Sequence, residues 1–407
     1  MPQSILVKKF GGTSVGSIER IEAVAERLLA DFKSKQEFPV VVASAMSGET
    51  NRLVGLGHQI NPLDRGPAYD MLVASGEQVS IALLAMALQK RGAKAKAFLA
   101  YQLGIETDDI FSKARIKHIR ADRLKAEIDR GVIPIVAGFQ GVDADQNITT
   151  LGRGGSDTSA VALAASLNLP CCEIYTDVAK VCSADPRIVS KARELDKISF
   201  EEMMEMASLG SKVLHIRSVE IAAKYGVRLH VRSSFENRDG TWILPEGETM
   251  ENALVSSVTH DASTVVVELE PVPAGSEFLA QLFTQLAARG VSIDIITQSR
   301  TPEGQRLAFS ITEEDLPLTK SLLAENFQDK KINVRWLEKM AKVSIVGVGM
   351  RNHPGVAAGF FKTLARLGIS THLVTTSEIK ISAVIDQARF KEAAAALHTE
   401  FHLDRDL

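Results

Sequence analysis

Short apolar runs alternate with longer amphipathic segments from residue 5 to about residue 232. The predicted strands are ILVKKF, FPVVVAS, GVIPIVAGF and CCEIYT, and the predicted helices between them are SIERIEAVAERLLADF, SGEQVSIALLAMALQKRG and SDTSAVALAASLN. Short, mainly apolar strands separated by amphipathic helices are typical of an α/β fold with a mainly parallel sheet covered by helices. The loops at the strand ends, which hold the unusual glycines, are the expected place for a site.

The C-terminal part of the chain repeats itself. Residues 282–299, LFTQLAARGVSIDIITQS, align without gaps on residues 360–377, FFKTLARLGISTHLVTTS. Each copy predicts strand, helix, strand, strand, helix, and the first adds INVRWL as a fourth strand. The spare strand ALVSSVT at 253–259 would complete the second copy if the first is inserted within it. Two ferredoxin-like βαββαβ units are therefore predicted, an arrangement that more often binds a small ligand than catalyses.

Turn formers and charges after residue 233 mark a junction between these two parts. The predicted boundaries are an α/β domain over 1–235, a linker with one strand over 236–263, a first repeat over 264–338 and a second over 339–407.

Composition narrows the classes of partner that the chain is expected to bind. The 407 residues carry a net charge of −3, with 45% hydrophobic and 24% charged residues, as in a soluble globular protein. No long basic run suits a nucleic acid or an anionic membrane. The start, MPQSILVKKF, lacks a signal-peptide pattern, and no uninterrupted apolar stretch approaches the roughly 18 residues of a membrane span. We expect a cytoplasmic enzyme that acts on small molecules.

Cysteine use predicts neither disulfides nor zinc. The chain has three cysteines, Cys171, Cys172 and Cys182, and lacks C-x-x-C and H-E-x-x-H motifs. We expect these thiols to lie in strands or in the core, and we expect no protein-held metal.

The stretch KKFGGTSVGS is the first candidate site segment. It leads from a strand through Gly11 and Gly12 into a helix, where backbone N–H groups and hydroxyls can bind an anion. Strand alternation lets only one of Lys8 and Lys9 point into that site, and Lys9 lies nearer the glycines. The motif is neither a Walker A loop nor a Rossmann fingerprint. An ordinary turn with an exposed lysine is the alternative.

The stretch TLGRGGSDTS is the second candidate. Its three glycines suggest close backbone approach to a phosphate or carboxylate. Arg153 can grip a carboxylate with two parallel donors, and Ser156 adds a hydroxyl at the start of the next helix. Asp157 is either a helix cap or a partner for Lys9.

Further candidates occupy other loops. Glu77, in ASGEQVS, is expected in the first turn of an apolar helix, where it either completes the helix start or binds a ligand ammonium. Ser44 and Thr50 follow a buried strand, Asp177 follows another, and Lys212 lies near a helix. Phosphate binders, a guanidinium for a carboxylate and a carboxylate for an amine together suit phosphoryl transfer to an amino acid.

The motifs KKFGGTSVG, SGEQVS, TLGRGGSDTSA, YTDVAKVCSADPR and MASLGSKVLH, in this order and followed by paired ACT-type repeats, resemble the monofunctional bacterial aspartate kinases. The likeness runs from residue 5 to about residue 390. It implies an amino-acid kinase fold followed by two ACT domains, and ATP-dependent conversion of L-aspartate to 4-phospho-L-aspartate, the step that opens lysine, threonine and methionine biosynthesis.

The resemblance also implies residue roles. Lys9 would stabilise the transferring phosphoryl group, and Asp157 would orient the catalytic lysines. Arg153 would bind a substrate carboxylate and Glu77 the substrate amino group. The remaining implied residues are Ser44, Thr50 and Ser156 for aspartate, and Lys9, Gly11, Gly12, Thr176, Asp177, Arg187 and Lys212 for ATP, whose phosphates Mg²⁺ would bridge.

Regulation is implied by the repeats. Lysine, threonine or both would bind between them, with Gln298, Thr375, Ser377 and Glu378 as the implied contacts. ACT pairing across chains implies a homo-oligomer. The chain departs from the family at Cys182, where tyrosine is common, at Ser299, where asparagine is usual, and in EPVPAGSEF, which lacks an Asp-x-Pro-Gly turn. Met250 resembles an internal start for a shorter regulatory chain in some relatives.

Two alternative functions remain open from the sequence. One is a kinase of the same fold for glutamate, acetylglutamate or a carbamate. The other is a catalytically silent amino-acid sensor, against which the presence of Lys9, Glu77, Arg153 and Asp157 counts.

Overall fold

The computed structural model describes residues 4–35, 37–62, 64–211, 213–246, 254–302, 304–327, 332–348, 350 and 353–405. The chain divides into two compact units. The first comprises Met1–Val181, Glu194–Ala207 and Lys212–Met250, and the second comprises Cys182–Arg193, Ser208–Ser211 and Glu251–Leu407. Met250 itself lies outside the described residues.

Strands and helices alternate through the first unit. Its strands are β1 (Ser4–Phe10), β2 (Glu37–Ala43), β3 (Ala95–Phe98), β4 (Ile105–Thr107), β5 (Ile116–Ile119), β6 (Ile133–Ala137), β7 (Gln140–Val142), β8 (Ile148–Thr150), β9 (Cys171–Thr176), β10 (Lys197–Ser199), β11 (Arg228–Ser233) and β12 (Thr241–Leu244). Its helices are α1 (Ile18–Lys35), α2 (Glu49–Ile60), α3 (Pro67–Lys90), α4 (Asp122–Asp129), α5 (Gly155–Ser166), α6 (Phe200–Ser208) and α7 (Ile216–Tyr225).

The main sheet of the first unit has the strand order β10-β12-β11-β9-β1-β2-β6-β3. Its described pairs are parallel except for β11 with β12, which is antiparallel. Central strands such as β2 are buried along nearly their whole length, as expected for a sheet covered on both faces. The predicted α/β class is confirmed. β12, placed in the predicted linker, is part of this sheet.

A second, small sheet lies in the same unit, with the order β5-β4-β7-β8. Its strands have only three or four residues each, too few to show a period in the sequence. The last of them, β8, ends at Thr150 and therefore delivers the chain into TLGRGGSDTS.

Helix α3 is apolar enough and long enough to cross a membrane by composition alone. Over half of its most apolar stretch is buried within the protein, and its buried positions include Asp70 and Glu77. We therefore interpret α3 as a core helix of the first unit.

The second unit contains one six-stranded antiparallel sheet built from both repeats. Its strands are β13 (Ser257–Val272), β14 (Ile296–Thr301), β15 (Gly304–Thr312), β16 (Asn333–Val346), β17 (Leu373–Thr376) and β18 (Lys380–Asp386), in the order β14-β15-β13-β16-β18-β17. Its helices are α8 (Ser276–Ala288), α9 (Leu316–Phe327), α10 (Pro354–Arg366) and α11 (Phe390–Glu400).

Both repeats share the long strands β13 and β16. The first half of β13 pairs with the second half of β16, from Ser257 opposite Val346 onward, whereas its second half pairs with the first half of β16 and with β15. Residues near 257 thus supply the strand missing from the second repeat, as the strand count predicted for 253–259. The described part of that run begins to pair as a strand at Ser257.

Residues 182–193 pack into the second unit although they follow β9 directly in the chain. Val258 N donates to Ser183 O at 2.7 Å, and Ser183 Oγ lies 2.9 Å from His398 Nε2. Ala184 and Val189 are buried in the hydrophobic cluster of the second repeat. This grouping differs from the predicted boundary, which placed the whole segment in the first domain.

Candidate active site

The carboxyl ends of β9, β1, β2 and β6 lie side by side, because these strands are parallel neighbours. Backbone bonding continues one residue beyond the strands. Gly11 N donates to Tyr175 O, and Ser44 N donates to Phe10 O, both at 3.1 Å. The loops that follow these strands therefore start from a fixed edge, which is where open α/β sheets place their ligands.

Lys9 and Asp157 meet at this edge. Lys9 Nζ lies 2.6 Å from Asp157 Oδ1, and the two residues are only 8% and 7% exposed. Asp157 Oδ1 has no hydrogen-bond partner among the described residues, so the contact is an ion pair. An ammonium has three N–H donors, so this one ion pair leaves donors for an incoming anion. The helix cap of α5 is Gly154, so Asp157 does not serve as the cap.

Lys8 points to the opposite face of the sheet, as strand alternation predicted. Its ammonium lies 2.6 Å from Asp31 and 3.4 Å from Glu173. Burial raises the pKa of Glu173, but a hydrogen bond from His230 and the charges of Lys8 and Arg232 outweigh it and hold that pKa well below its usual range. Lys8 is thus committed to a buried ionic cluster, and Lys9 is the lysine available at the site.

The glycines of TLGRGGSDTS serve the protein's own packing. Gly152 and Gly154 have φ angles of 79° and 66°, which favour glycine. A Cβ on Gly154 would lie 2.1 Å from Cβ of His215, and one on Gly152 would lie 3.0 Å from the carbonyl oxygen of Ser112. The expectation that these glycines make room for a bulky polar ligand is therefore corrected for these two positions.

Arg153 and Ser156 differ in their surroundings. Arg153 is exposed, and its guanidinium makes no hydrogen bond or ion pair with any residue that the structure describes. Ser156 is buried in the first turn of α5, and a Cβ on Gly138 would lie 2.7 Å from its Oγ. Gly138, which follows β6, is thus the position that leaves space for the Ser156 hydroxyl.

Glu77 lies near the middle of α3, not in the first turn of a helix as expected. The helix begins at Pro67, with proline at its favoured first position. Gly76 does not mark a helix start. A Cβ there would lie 2.9 Å from Cβ of Ala45, so this glycine allows the loop after β2 to approach the helix closely. The helix-start explanation for Glu77 is consequently wrong.

The Glu77 carboxyl is buried, and only one of its two oxygens has a hydrogen-bond partner in the part of the chain that the structure describes. It is 2% exposed, and Oε1 accepts a hydrogen bond from Ala45 N at 3.1 Å. Oε2 is buried and has no hydrogen-bond partner among the described residues. Burial raises the pKa of this carboxyl to about 7, against the lowering by the Ala45 bond. A cationic ligand group would satisfy Oε2 and lower that pKa.

Ser44 and Thr50 lie on either side of the loop that contacts Glu77. Both are half-buried, Ser44 just after β2 and Thr50 in the first turn of α2. A Cβ on Gly12 would lie 3.0 Å from Ala45 O, which brings the glycine pair of β1 against this same loop. The structure therefore brings these two hydroxyls to the edge that carries Lys9 and Glu77.

Two hydroxyls link the strand ends beside the site. Ser14 Oγ lies 2.5 Å from Ser234 Oγ, and Ser234 N donates to Thr176 O at 2.9 Å. Thr176 Oγ1 donates to Asp177 Oδ1 at 3.1 Å. Sequence reasoning missed Ser234, because it follows β11 in a stretch interpreted as the start of the domain junction.

The expected nucleotide-binding residues fall into three groups. Gly11 and Gly12 follow β1, Thr176 ends β9 and Asp177 follows it, beside Lys9, and a Cβ on Gly11 would lie 3.4 Å from Lys9 Nζ. Arg187 belongs to the second unit, where it pairs with Asp185 at 2.7 Å. Cys182 belongs to that unit too. Lys212 lies outside the described residues.

Two charged residues that sequence reasoning missed hold the loops around Arg153. Asp70 of α3 is fully buried and accepts hydrogen bonds from Ser112 and Thr150. Burial raises its pKa, against the lowering by these bonds. Arg217 of α7 donates to Leu151 O at 2.6 Å. A charged residue on the buried side of an apolar helix was the available signal for Asp70.

The residues expected to contact an effector lie on two opposite edges of the six-stranded sheet. Gln298 is in edge strand β14, where its amide donates to Gln305 Oε1 at 2.5 Å. Thr375 is in the other edge strand, β17, and Ser377 and Glu378 follow it. At about 4.8 Å per strand, five steps across the sheet separate the two edges by about 24 Å. Within one chain, a small ligand cannot contact both.

Comparison with known proteins defines the class of this fold and site. Residues 4–233 match the model of the amino acid kinase family, and residues 343–401 match that of an ACT domain. The chain is 47% identical to the aspartate kinase Ask_LysC of Stutzerimonas stutzeri, over 98% of each chain, and 44% identical to aspartokinase 2 of Bacillus subtilis, again over 98% of each. It belongs to the aspartate kinase family.

Solved structures agree with this assignment. The chain resembles Escherichia coli aspartokinase III in complex with aspartate and ADP, in the R-state, with a TM-score of 0.84 at 27% identity over 98% of this chain and 99% of that one. The T-state of the same enzyme, with lysine and aspartate, gives a TM-score of 0.76 at 27% identity, with the same shares of both chains.

Proposed function

We propose that this chain transfers the terminal phosphoryl group of ATP to the side-chain carboxylate of L-aspartate, which yields 4-phospho-L-aspartate and ADP. A carboxylate oxygen of aspartate forms the new bond to phosphorus as the bond to the ADP oxygen breaks, and no proton or covalent enzyme intermediate is required. Such transfer depends on positioning and charge neutralisation more than on covalent help from the protein. The observation that carries the proposal is the buried pair of Lys9 and Asp157 at the carboxyl edge of the sheet.

Lys9 would place its ammonium on the transferring phosphoryl group, where negative charge is spread over the outer oxygens. Asp157, 2.6 Å away, would hold that ammonium in position. The hydroxyls and backbone N–H groups of the loops after β1 and β9, including Gly11, Gly12 and Thr176, would cradle the phosphates. Asp177, Arg187 and Lys212 are proposed for the rest of the nucleotide on the family resemblance.

Both ends of aspartate have candidate partners. The unpartnered Oε2 of Glu77 suits the α-ammonium, because a buried carboxylate oxygen without a partner is costly until a cation satisfies it. The exposed Arg153 guanidinium suits a carboxylate. Ser44, Thr50 and Ser156 would add hydroxyl donors, which discriminates aspartate from longer acids by distance.

Magnesium would enter with the nucleotide. No cluster of three or more His, Cys, Asp or Glu side chains able to hold a metal occurs in the described part of the chain. Mg²⁺ is commonly held by substrate phosphates with one or two carboxylates, and Asp157 and Asp177 lie at the phosphate end of the proposed site. When bound, the ion would neutralise charge on the phosphates.

Measuring aspartyl hydroxamate formation in the purified protein tests this function. With ATP, Mg²⁺ and hydroxylamine, aspartate should give product, whereas glutamate and N-acetylglutamate should not. Lys9→Met should reduce kcat by a factor of about 100 or more, the scale for losing one such charge contact. Lys33→Met, at an exposed position of α1, is the matched control and should leave kcat unchanged. Lack of product in wild type would instead favour a silent amino-acid sensor.

The second unit is proposed to regulate the first in a cytoplasmic homo-oligomer. Lysine, threonine or both would bind at the edges that carry Gln298 and Thr375, with Ser377 and Glu378 beside the latter. These edges lie too far apart to share a ligand within one chain, and open edge strands favour pairing with a second copy. Rates measured with each amino acid, together with light scattering of the purified chain, test this. Unchanged rates and a monomeric mass would contradict it.

A further inference from the structure

The Asp70 carboxylate joins two loops that are distant in the sequence. It accepts hydrogen bonds from Ser112 N at 2.9 Å and from Thr150 N at 2.6 Å. The Ser112 and Thr150 hydroxyls donate to its Oδ1 at 3.1 and 3.0 Å. Asp70 has 0% exposure, so these bonds replace water entirely. A buried carboxylate that only accepts hydrogen bonds is an anchor for its donors.

Arg217 acts on the same two loops through their carbonyl groups. Its guanidinium donates to Leu151 O at 2.6 Å and to Ala114 O at 2.8 Å. Ala114 N in turn donates to Thr150 O at 2.9 Å, which ties the loops directly to each other. Asp70 therefore accepts hydrogen bonds from N–H groups, and Arg217 donates to C=O groups, of neighbouring residues in both loops. We call Asp70 and Arg217 the loop clamp.

The loop clamp ends where the proposed aspartate contacts begin. Arg153 follows Leu151 by two residues, is exposed, and has no side-chain partner among the described residues. The position of the Arg153 side chain is consequently set by the backbone that carries it. The chain then turns through Gly154 into α5, which carries Asp157.

Helix α3 links this loop to the other end of the proposed substrate. Asp70 and Glu77 lie on the same helix about two turns apart, or about 10 Å along its axis. Asp70 holds the Arg153 loop, and Glu77 holds the loop after β2 through Ala45 N. One rigid element thus fixes the distance between the guanidinium and the carboxylate proposed for the two charged ends of aspartate.

We propose that Asp70 and Arg217 are positioning residues for aspartate: they hold the Arg153 loop at a set distance from Glu77 and do not touch substrate. The inference rests on the proposed role of Arg153. Loosening the loop clamp should weaken aspartate binding and leave the nucleotide contacts on the loops after β1 and β9 in place.

Steady-state kinetics of Asp70→Asn test the proposal. The asparagine keeps one carbonyl oxygen for the two backbone N–H donors, but its NH₂ group would face the Ser112 and Thr150 hydroxyls, and all four bonds to a charged acceptor would be lost, so the loop should loosen. We expect KM for aspartate to rise at least about tenfold while KM for ATP stays within about twofold. Arg217→Gln should act in the same direction. Asp129→Asn, at an exposed position of α4, is the matched control and should change neither constant.

A double-mutant cycle separates positioning from general destabilisation. If Asp70 acts through Arg153, the aspartate KM of the double variant Asp70→Asn/Arg153→Ala should not exceed that of Arg153→Ala alone. Unchanged KM values, equal rises in both KM values, or additive effects would each overturn the inference. If Asp70→Asn does not fold, Thr150→Val, which removes one hydroxyl bond and keeps the backbone bond, decides by the same criteria.

The controls keep this inference distinct from the proposed function. Absence of aspartate phosphorylation by the wild-type protein would refute the proposed function. A normal aspartate KM in Arg153→Ala would refute the proposed contact at Arg153. If wild type phosphorylates aspartate and Arg153→Ala raises the aspartate KM, but Asp70→Asn does not raise the aspartate KM selectively, the loop clamp alone is refuted.

Discussion

The buried Glu77 carboxyl makes stability and substrate binding depend on pH in opposite ways. Burial raises its pKa from 4.5 to about 7 in the folded protein. Below pH 4.5 the group is protonated in folded and unfolded chains, and it contributes no difference. Between pH 4.5 and 7 the unfolded chain releases the proton while the folded chain keeps it, so the free energy of unfolding falls as pH rises. The loss is complete above pH 7.

The size of this effect follows from the pKa difference. One pKa unit corresponds to about 1.4 kcal/mol, so the shift costs about 3 kcal/mol at pH 8. Glu77→Gln removes the ionisation while its amide oxygen can still accept the bond from Ala45 N. We therefore expect the variant to resemble wild type at pH 4.5 and to gain up to about 3 kcal/mol over it at pH 8, as measured by urea unfolding at several pH values.

The same carboxyl should lose aspartate affinity when it is neutralised. In wild type, KM for aspartate should fall as pH rises through about 7, because the ionised form suits the substrate ammonium. In Glu77→Gln, KM should be high and nearly independent of pH over this range. A variant that is no more stable than wild type at pH 8, or that keeps the wild-type pH profile of KM, would refute the reasoning.

Three further substitutions test the packing. Lys8→Met should destabilise the first unit by about 3–5 kcal/mol, because it leaves Asp31 and Glu173 without their buried cation; an unchanged urea midpoint would contradict this. Gly154→Ala should lower the melting temperature and the kcat, because its Cβ would lie 2.1 Å from that of His215. The control Gly131→Ala also has a positive φ, 69°, but has open space around the new Cβ, so it should show only the backbone penalty. Leu282→Ala should cost about 2–5 kcal/mol in the second unit, where Leu282 is fully buried; a loss below 1 kcal/mol would argue against that core.

Local patterns predicted the regular elements of the first unit well. The run CCEIYT matches β9, because Pro170 and Asp177 flank a short, mainly apolar stretch. The predicted helix began at Ser75, whereas α3 begins at Pro67, and Gly76 lies inside α3, where it permits close contact with Ala45. The need for that contact lies in a loop about thirty residues earlier, which no local window contains.

The site was predictable where chemistry and periodicity agreed. Strand alternation in β1 predicted that Lys9 and Lys8 point to opposite faces of the sheet, and Asp157, the partner of Lys9, was itself a predicted site residue. Arg217 could not be predicted, because its partners are backbone groups of loops with no sequence signature. For Asp70, the only signal was a charge on the buried side of an apolar helix. The grouping of residues 182–193 with the second unit has no local signal, because Ala184 and Val189 are buried against residues that follow much later in the chain.

The interleaved order of the two repeats constrains how the second unit forms during synthesis. The first half of β13, at Ser257–Asp261, leaves the ribosome well before its partner at Lys342–Val346. The entire first repeat is made in between, so the second repeat cannot close its sheet until β16 and β18 have been made. Co-translational folding should therefore complete the first repeat early, while the start of β13 waits as an unpaired strand that invites pairing with another nascent chain.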